Sequence, residues 1–166
     1  MPSSPVMNFM KQQGFAPEAP DRAALRFRGL QFQPLVVGSA MLVAILMQSP
    51  VIFLLVSAVL WLNVLVPAAN PFENFYNRFI ARRRGRPVLS PAPGPRRFAQ
   101  GMAATFMLAA GLSILWGWTA AAYAFEGLIA VAFAALLVGK FCLGAYVYHL
   151  IRGNVAFANG TCPWSD

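Results

Sequence analysis

Residues 35–69 read LVVGSAMLVAILMQSPVIFLLVSAVLWLNVLVPAA, and the way this run folds decides the architecture. The stretch is apolar almost without a break. As one helix it would reach about 52 Å at about 1.5 Å per residue, whereas the hydrocarbon core of a bilayer is about 30 Å thick. The run must therefore turn back on itself. Gln48-Ser49-Pro50 is the natural place, because a proline is tolerated in the first turn of a new helix, where its missing N–H costs little. The reading is two membrane spans, at about residues 31–48 and about residues 50–68.

Composition supports lipid as the solvent. The chain has 166 residues, of which 58% are hydrophobic and 11% charged, with mean hydropathy +0.59. Soluble domains carry about 25% charged residues. The net charge is +8. A basic chain of this kind binds nucleic acid or a membrane surface, and the arginines fall in the gaps between greasy segments. No nucleic-acid partner is expected. Residues 1–29 are mixed polar with four prolines and read as a cytoplasmic tail. They lack the early apolar core of a cleavable leader.

After the first hairpin comes NPFENFYNRFIARRRGRPVLSPAPGPRRF, residues 70–98. Phe72, Phe75, Tyr76 and Phe79 recur at helical spacing and Arg82, Arg83, Arg84 and Arg86 follow. This predicts a short amphipathic helix in the headgroup layer that contacts anionic lipids. The prolines then predict irregular chain over residues 87–95. Span three is expected at about residues 98–116 and span four at about residues 125–151; span four is longer than a bilayer needs and either tilts or bends near Gly139. The expected fold is thus all-α: four transmembrane helices as two hairpins, a basic loop at 69–97 and a C-terminal tail at 154–166.

Charge sets the orientation. Residues 68–98 hold seven arginines and one glutamate, while the turns near 49 and at 117–126 hold no Lys or Arg. Positive loops stay in the cytoplasm. The middle loop and both termini are therefore expected inside, in the inner membrane of a bacterium.

Span four carries the residues that invite a functional reading. Lys140 lies near its middle, where a cation either snorkels, bonds a polar residue such as Asn63, or holds an anion. Cys142, Tyr146 and His149 share one helical face. A lone buried cysteine is usually a small inert hydrophobe; its alternative role is a thiol site. The one histidine could contact a haem or pigment, but it cannot make a two-histidine haem site, and no other metal-ligand cluster accompanies it. No nucleophile–base set, phosphate loop or carboxylate pair is present, so no catalytic residues are expected. Small-residue stripes at Gly101, Thr105, Ala109 and at Ala135, Gly139 favour close helix packing or partner docking.

Three segments resemble an uncharacterised bacterial membrane family, domain of unknown function 4395: RFRGLQFQ at 26–33, PGPRRFAQG at 93–101 and FCLGAYVYHLIR at 141–152. The resemblance spans roughly residues 22–153. It implies four helices and no established activity. Members are discussed beside sulfur-transfer and thioredoxin-like proteins, which implies a thiol role for a paired cysteine motif. Here Cys142 matches the first cysteine, but Ala145 stands where the second would be. Cys162 could replace it only if the tail folded back about 15 Å.

Three functional expectations follow. The first is a non-catalytic accessory subunit of a larger respiratory, photosynthetic or transport assembly, docking through helix faces, loop and tails onto other membrane subunits. The second is a thiol or sulfur-handling protein centred on Cys142. The third is a haem or pigment contact at His149, with no cofactor required by the first two. Reporter fusions at residues 1 and 166 are expected on the same, cytoplasmic side; opposite sides would require an odd number of crossings.

Overall fold

The apolar run does turn at Gln48-Ser49-Pro50. Gln48 adopts a left-handed conformation, φ 45° and ψ 43°, and the N–H groups of Gln48 and Ser49 close the helix end on the carbonyls of Ile45 (3.2 Å) and Ala44 (3.0 Å). Pro50 opens the next helix. The structure, a computed structural model, describes residues 5–162, and these are helical with no strand.

In chain order the helices are α1 (Pro5–Gln12), α2 (Pro20–Leu30), α3 (Phe32–Met47), α4 (Pro50–Leu65), α5 (Pro71–Phe75), α6 (Gly94–Leu115), α7 (Thr119–Leu137), α8 (Leu143–Ile151) and α9 (Val155–Gly160). A 3-10 turn, Pro67–Ala69, precedes α5, and a π turn, Tyr76–Ala81, follows it. Three stretches are long and apolar enough to cross a membrane: Pro20–Met47, in which α2 runs into α3, then Gly94–Leu115 and Thr119–Leu137. The apolar α4 has 16 residues, about 24 Å.

α6 is the axis of the bundle, packed against α4, α7 and α8. One core lies mid-bundle, where Met41, Phe53, Leu60, Met107, Ile129 and Phe133 meet. A second lies at the arginine-rich end, built from Phe9, Phe15, Leu30, Tyr76, Leu89 and Cys142. The outer faces stay apolar: Leu46 is 85% exposed, Val138 83% and Leu65 71%. A surface of this kind suits lipid and not water, and the chain is a membrane protein on that ground.

Several expectations need correction. The supposed N-terminal tail is folded over residues 5–30, because α1 buries Phe9, Met10 and Gln12 against the bundle. Its sparse apolar residues cover one face of a short helix, too few to read as a span. Residues 1–4 lie outside the described residues. The C-terminal tail forms α9 and buries Ala158, Thr161 and Cys162; residues 163–166 lie outside the description.

Span three begins at Gly94 and not at Phe98, because Pro95 occupies the first turn and starts the helix it was expected to forbid. The expected span four is two pieces. α7 starts at Thr119, two residues after Gly117 (φ 71°), and ends at Leu137. The chain leaves the helix through Gly139, where any Cβ would sit 2.7 Å from the Ala135 carbonyl oxygen, and Lys140, at φ 51°. Lys140 is therefore an exposed residue of a break, not a mid-span cation. It has no pairing with Asn63, whose buried amide has no partner among the described residues.

The amphipathic segment forms, with Phe75 and Phe79 exposed. Tyr76, expected at the lipid surface, is instead 3% exposed. Its ring lies where a Cβ on Gly29 would be 2.9 Å from the phenol. Asn77 binds the stretch beyond the arginines by a pair of bonds: its Nδ2 donates to Leu89 O (2.9 Å) and Leu89 N–H donates to its Oδ1 (2.8 Å).

α8 lies so close to α6 that a Cβ on Gly144 would fall 2.6 Å from Ala99 Cα. The neighbour is backbone and cannot swing away. Gly144→Ala is expected to cost about 1–3 kcal/mol, read as a lower unfolding temperature in detergent. Gly160→Ala, with nothing within 4 Å, is the control and should leave that temperature unchanged.

Candidate thiol site

At the arginine-rich end a cavity of about 100 Å³ opens between α3, α6 and the start of α8. Each water in liquid occupies about 30 Å³, so it has room for a few atoms. Its polar wall is Gln13, Gln33, Arg96, Gln100 and Cys142; its apolar wall includes Val37, Leu60 and Phe133.

Gln33 sits in the first turn of α3, and its Oε1 is the hub. It accepts from Gln100 Nε2 (3.1 Å), Asn70 Nδ2 (3.3 Å) and Arg96 Nη2 (3.4 Å). Asn70 caps α5 by accepting from the N–H groups of Phe72 and Glu73. This capping turns Glu73 inward, where its carboxylate lies 3.8 Å from Arg96 Nη2. Arg96 Nη1 donates to Gln13 Oε1 at 3.4 Å, and the guanidinium lies 6.0 Å from the centre of the Phe15 ring. Arg96 is 5% exposed and Glu73 likewise. The guanidinium is thus buried with long contacts on several sides and faces the cavity. Burial pushes the Glu73 carboxyl above its ordinary range, opposed by the charge of Arg96.

Cys142 stands at the N-cap of α8 and is 5% exposed. Gln13, Arg96 and Gly144 line the same cavity as Cys142, and Ala145 follows in the first turn of α8. Burial is the larger influence and pushes the thiol up; those four groups pull it down. Unpaired N–H groups at a helix start favour negative charge. The resting thiol is therefore neutral, in surroundings that would hold an anion placed just beyond it.

The end of α1 closes this site. Gln12 Oε1 accepts from Cys142 N–H (2.9 Å), and the Gln12 carbonyl lies 3.0 Å from His149 Nε2. The amide nitrogen of Gln12 and the Oε1 of Gln100 have no partner among the described residues. Of the residues expected from sequence, Cys142 and His149 both come to this wall, seven residues apart, although Cys142 precedes the helix. Tyr146 turns away and donates to Asn159 Oδ1 at 2.9 Å. His149 lines none of the cavities at this end. Its ring packs against Tyr148 and Phe157, at 5.4 and 4.7 Å between centroids. Among the described residues no group of three or more His, Cys, Asp or Glu could hold a metal ion. Cys142 and Cys162 are both buried and are not joined in a disulfide.

Gln12, Gln13, Gln33, Asn70, Glu73, Arg96 and Gln100 were not anticipated as site residues. They carry no periodic signal; a glutamine beside a span reads as a boundary and an arginine in a loop as a topology marker. What could have flagged three of them is position. Gln33, Arg96 with Gln100, and Cys142 belong respectively to the three short segments, 26–33, 93–101 and 141–152, that stand out in the sequence, and the fold brings all three to one cavity.

Replacing the hub tests the network. Gln33→Met leaves the Asn70, Arg96 and Gln100 donors without their shared acceptor and is expected to cost about 2–4 kcal/mol in unfolding measured in micelles. Gln31→Met removes a buried amide that has no partner and should stay within about 0.5 kcal/mol of the parent.

The family described as a domain of unknown function (DUF4395) matches residues 26–152. No curated protein and no solved structure matches the chain.

Proposed function

The chain belongs to the DUF4395 family, and from the cavity at which its three marked segments meet we propose that it carries sulfur on a single cysteine, Cys142. The observation behind this reading is the placement of Cys142 at the start of α8, on the wall of a space of about 100 Å³ that it shares with Gln13, Arg96 and Gly144. Ala145 leaves no second thiol in that turn, and the Cys162 sulfur lies 3.6 Å from the Ala158 carbonyl in α9. A dithiol cycle is therefore not the chemistry proposed.

A one-cysteine carrier needs only exchange of sulfur between thiols. The Cys142 sulfur attacks the outer sulfur of a small persulfide donor, R–S–S⁻. The donor's S–S bond breaks as the new S–S bond forms. The Cys142 proton passes to the departing sulfur, which leaves as R–SH. The product is Cys142–S–S⁻, with no net oxidation. The added sulfur extends into the cavity toward Arg96. A persulfide is more acidic than its parent thiol, so the groups that cannot ionise the resting thiol suffice to hold this anion. Handing the sulfur on is the reverse exchange with an acceptor thiol. The role is that of a carrier and not an enzyme.

In the same proposal α4 completes four crossings of a bacterial inner membrane, with the arginine-rich end and both termini in the cytoplasm. The cavity then faces the cytoplasmic side. A second reading, an accessory subunit of a larger membrane complex, draws support from an outward groove of about 500 Å³ in which Gly101 and Thr105 lie between Trp61 and Phe106. Small residues let a foreign helix approach closely there. A pull-down in mild detergent that recovers stoichiometric membrane companions would favour this second role, and a clean monomer would count against it.

For the carrier role, purified protein treated with glutathione persulfide and then alkylated should gain the mass of one sulfur atom on the peptide that holds Cys142. The gain should vanish in Cys142→Ser, persist in Cys162→Ser, and fall several-fold in Arg96→Gln with partial recovery in Arg96→Lys. Labelling confined to Cys162, or none in a folded protein, would sink the proposal.

A further inference from the structure

A second cavity, of about 400 Å³, lies on the other side of the N-terminal segment, between α2 and the end of the arginine loop. Its charged wall is Arg22, Arg26, Arg86 and Glu18, and its apolar wall includes Leu25 and Val88. Three guanidiniums face one carboxylate, an excess of two positive charges. Glu18 is committed to Arg26, with Oε1 at 2.8 Å from Nη2. Its other oxygen and Arg26 Nε are buried without a partner among the described residues. Among the described residues the side chains of Arg22 and Arg86 have neither an ion pair nor a hydrogen bond. Gly85, at φ 58° with nothing within 4 Å, makes the turn that returns Arg86 toward α2.

We propose that this cleft is a binding site for the phosphate of an anionic phospholipid, gripped by Arg22, Arg26 and Arg86. The inference is independent of the thiol reading. Guanidiniums match phosphate oxygens in geometry and charge, and Glu18 holds one of the three in place in advance. Two observations favour a lipid over a free phosphate. Leu25 and Val88, 38% and 52% exposed, line the same cleft and offer apolar contact to the glycerol and upper acyl chain. The chain leading to Arg86 also carries interfacial anchors: exposed Phe75 and Phe79, with the Arg78 and Arg83 guanidiniums 5.7 and 5.8 Å from the Phe79 ring centre. The site therefore sits where headgroups are and differs from the general attraction of a basic loop, because it joins the loop to α2.

The test is native mass spectrometry of the full chain in detergent, titrated with phosphatidylglycerol or phosphatidylcholine. Arg22→Gln with Arg86→Gln removes two cations and leaves the Glu18–Arg26 pair. Arg82→Gln with Arg84→Gln removes the same charge from the exposed part of the loop. The first pair should weaken phosphatidylglycerol binding about tenfold, and the second less than about twofold. Should the first pair fail to fold, Arg22→Gln alone, on an exposed helix face, should weaken binding about threefold. Phosphatidylcholine should bind weakly to the parent and be insensitive to every variant. Equal losses in the two double variants, or equal binding of both lipids by the parent, would overturn the site. Displacement of the lipid by millimolar inorganic phosphate would overturn the lipid assignment and leave a free-oxyanion site.

Discussion

A guanidinium removed from water must find its solvation inside the protein. Arg96 sets that requirement at the first turn of α6, with 5% of its surface exposed. Isolated, such a charge would cost several kcal/mol. The chain meets the demand from four directions: Gln13 after α1, Gln33 on α3, Glu73 on α5, and Phe15 against the guanidinium. Much of the arginine-rich end follows from this. The N-terminal segment has to fold onto the bundle, and Asn70 has to cap α5 so that Glu73 turns inward. Cys142 shares the resulting field because Gly144 lets α8 touch Ala99, one turn from Arg96.

The sequence made the greasy half of the molecule readable and the polar half obscure. Residues 35–69 admit one solution, because lipid limits the length of a span and Pro50 marks the reversal. The other boundaries failed for local reasons. Pro95 looks like a breaker but starts α6, since the first turn does not need its N–H. Gly139 and Lys140 end α7 inside an apolar run, and only a left-handed residue next to a crowded carbonyl discloses it. α1 escaped notice because its core contribution, Phe9 and Met10 among polar neighbours, matches no periodic template.

Cys142 stood out in the sequence, but its surroundings did not. A cysteine in a helix is inert as a first expectation, and span four placed Cys142 mid-helix. The break moves it to the N-cap of α8, on the wall of the cavity that Arg96 also lines. The glutamines that complete the wall come from segments separated by 63 and 83 residues from Arg96. No local pattern reports a meeting across such distances.

At the opposite end the turn after α3 is tied to α7: Gln48 Nε2 donates to both oxygens of the buried Glu126, at 3.1 and 3.2 Å. Between that tie and Gln100 the interior is packed with Met41, Met107, Ala110 and Ile129, and the Ser57 hydroxyl donates to the Ala104 carbonyl. On the side of that interior the cavity beside Cys142 is therefore walled by packed apolar side chains, Val37, Leu60 and Phe133.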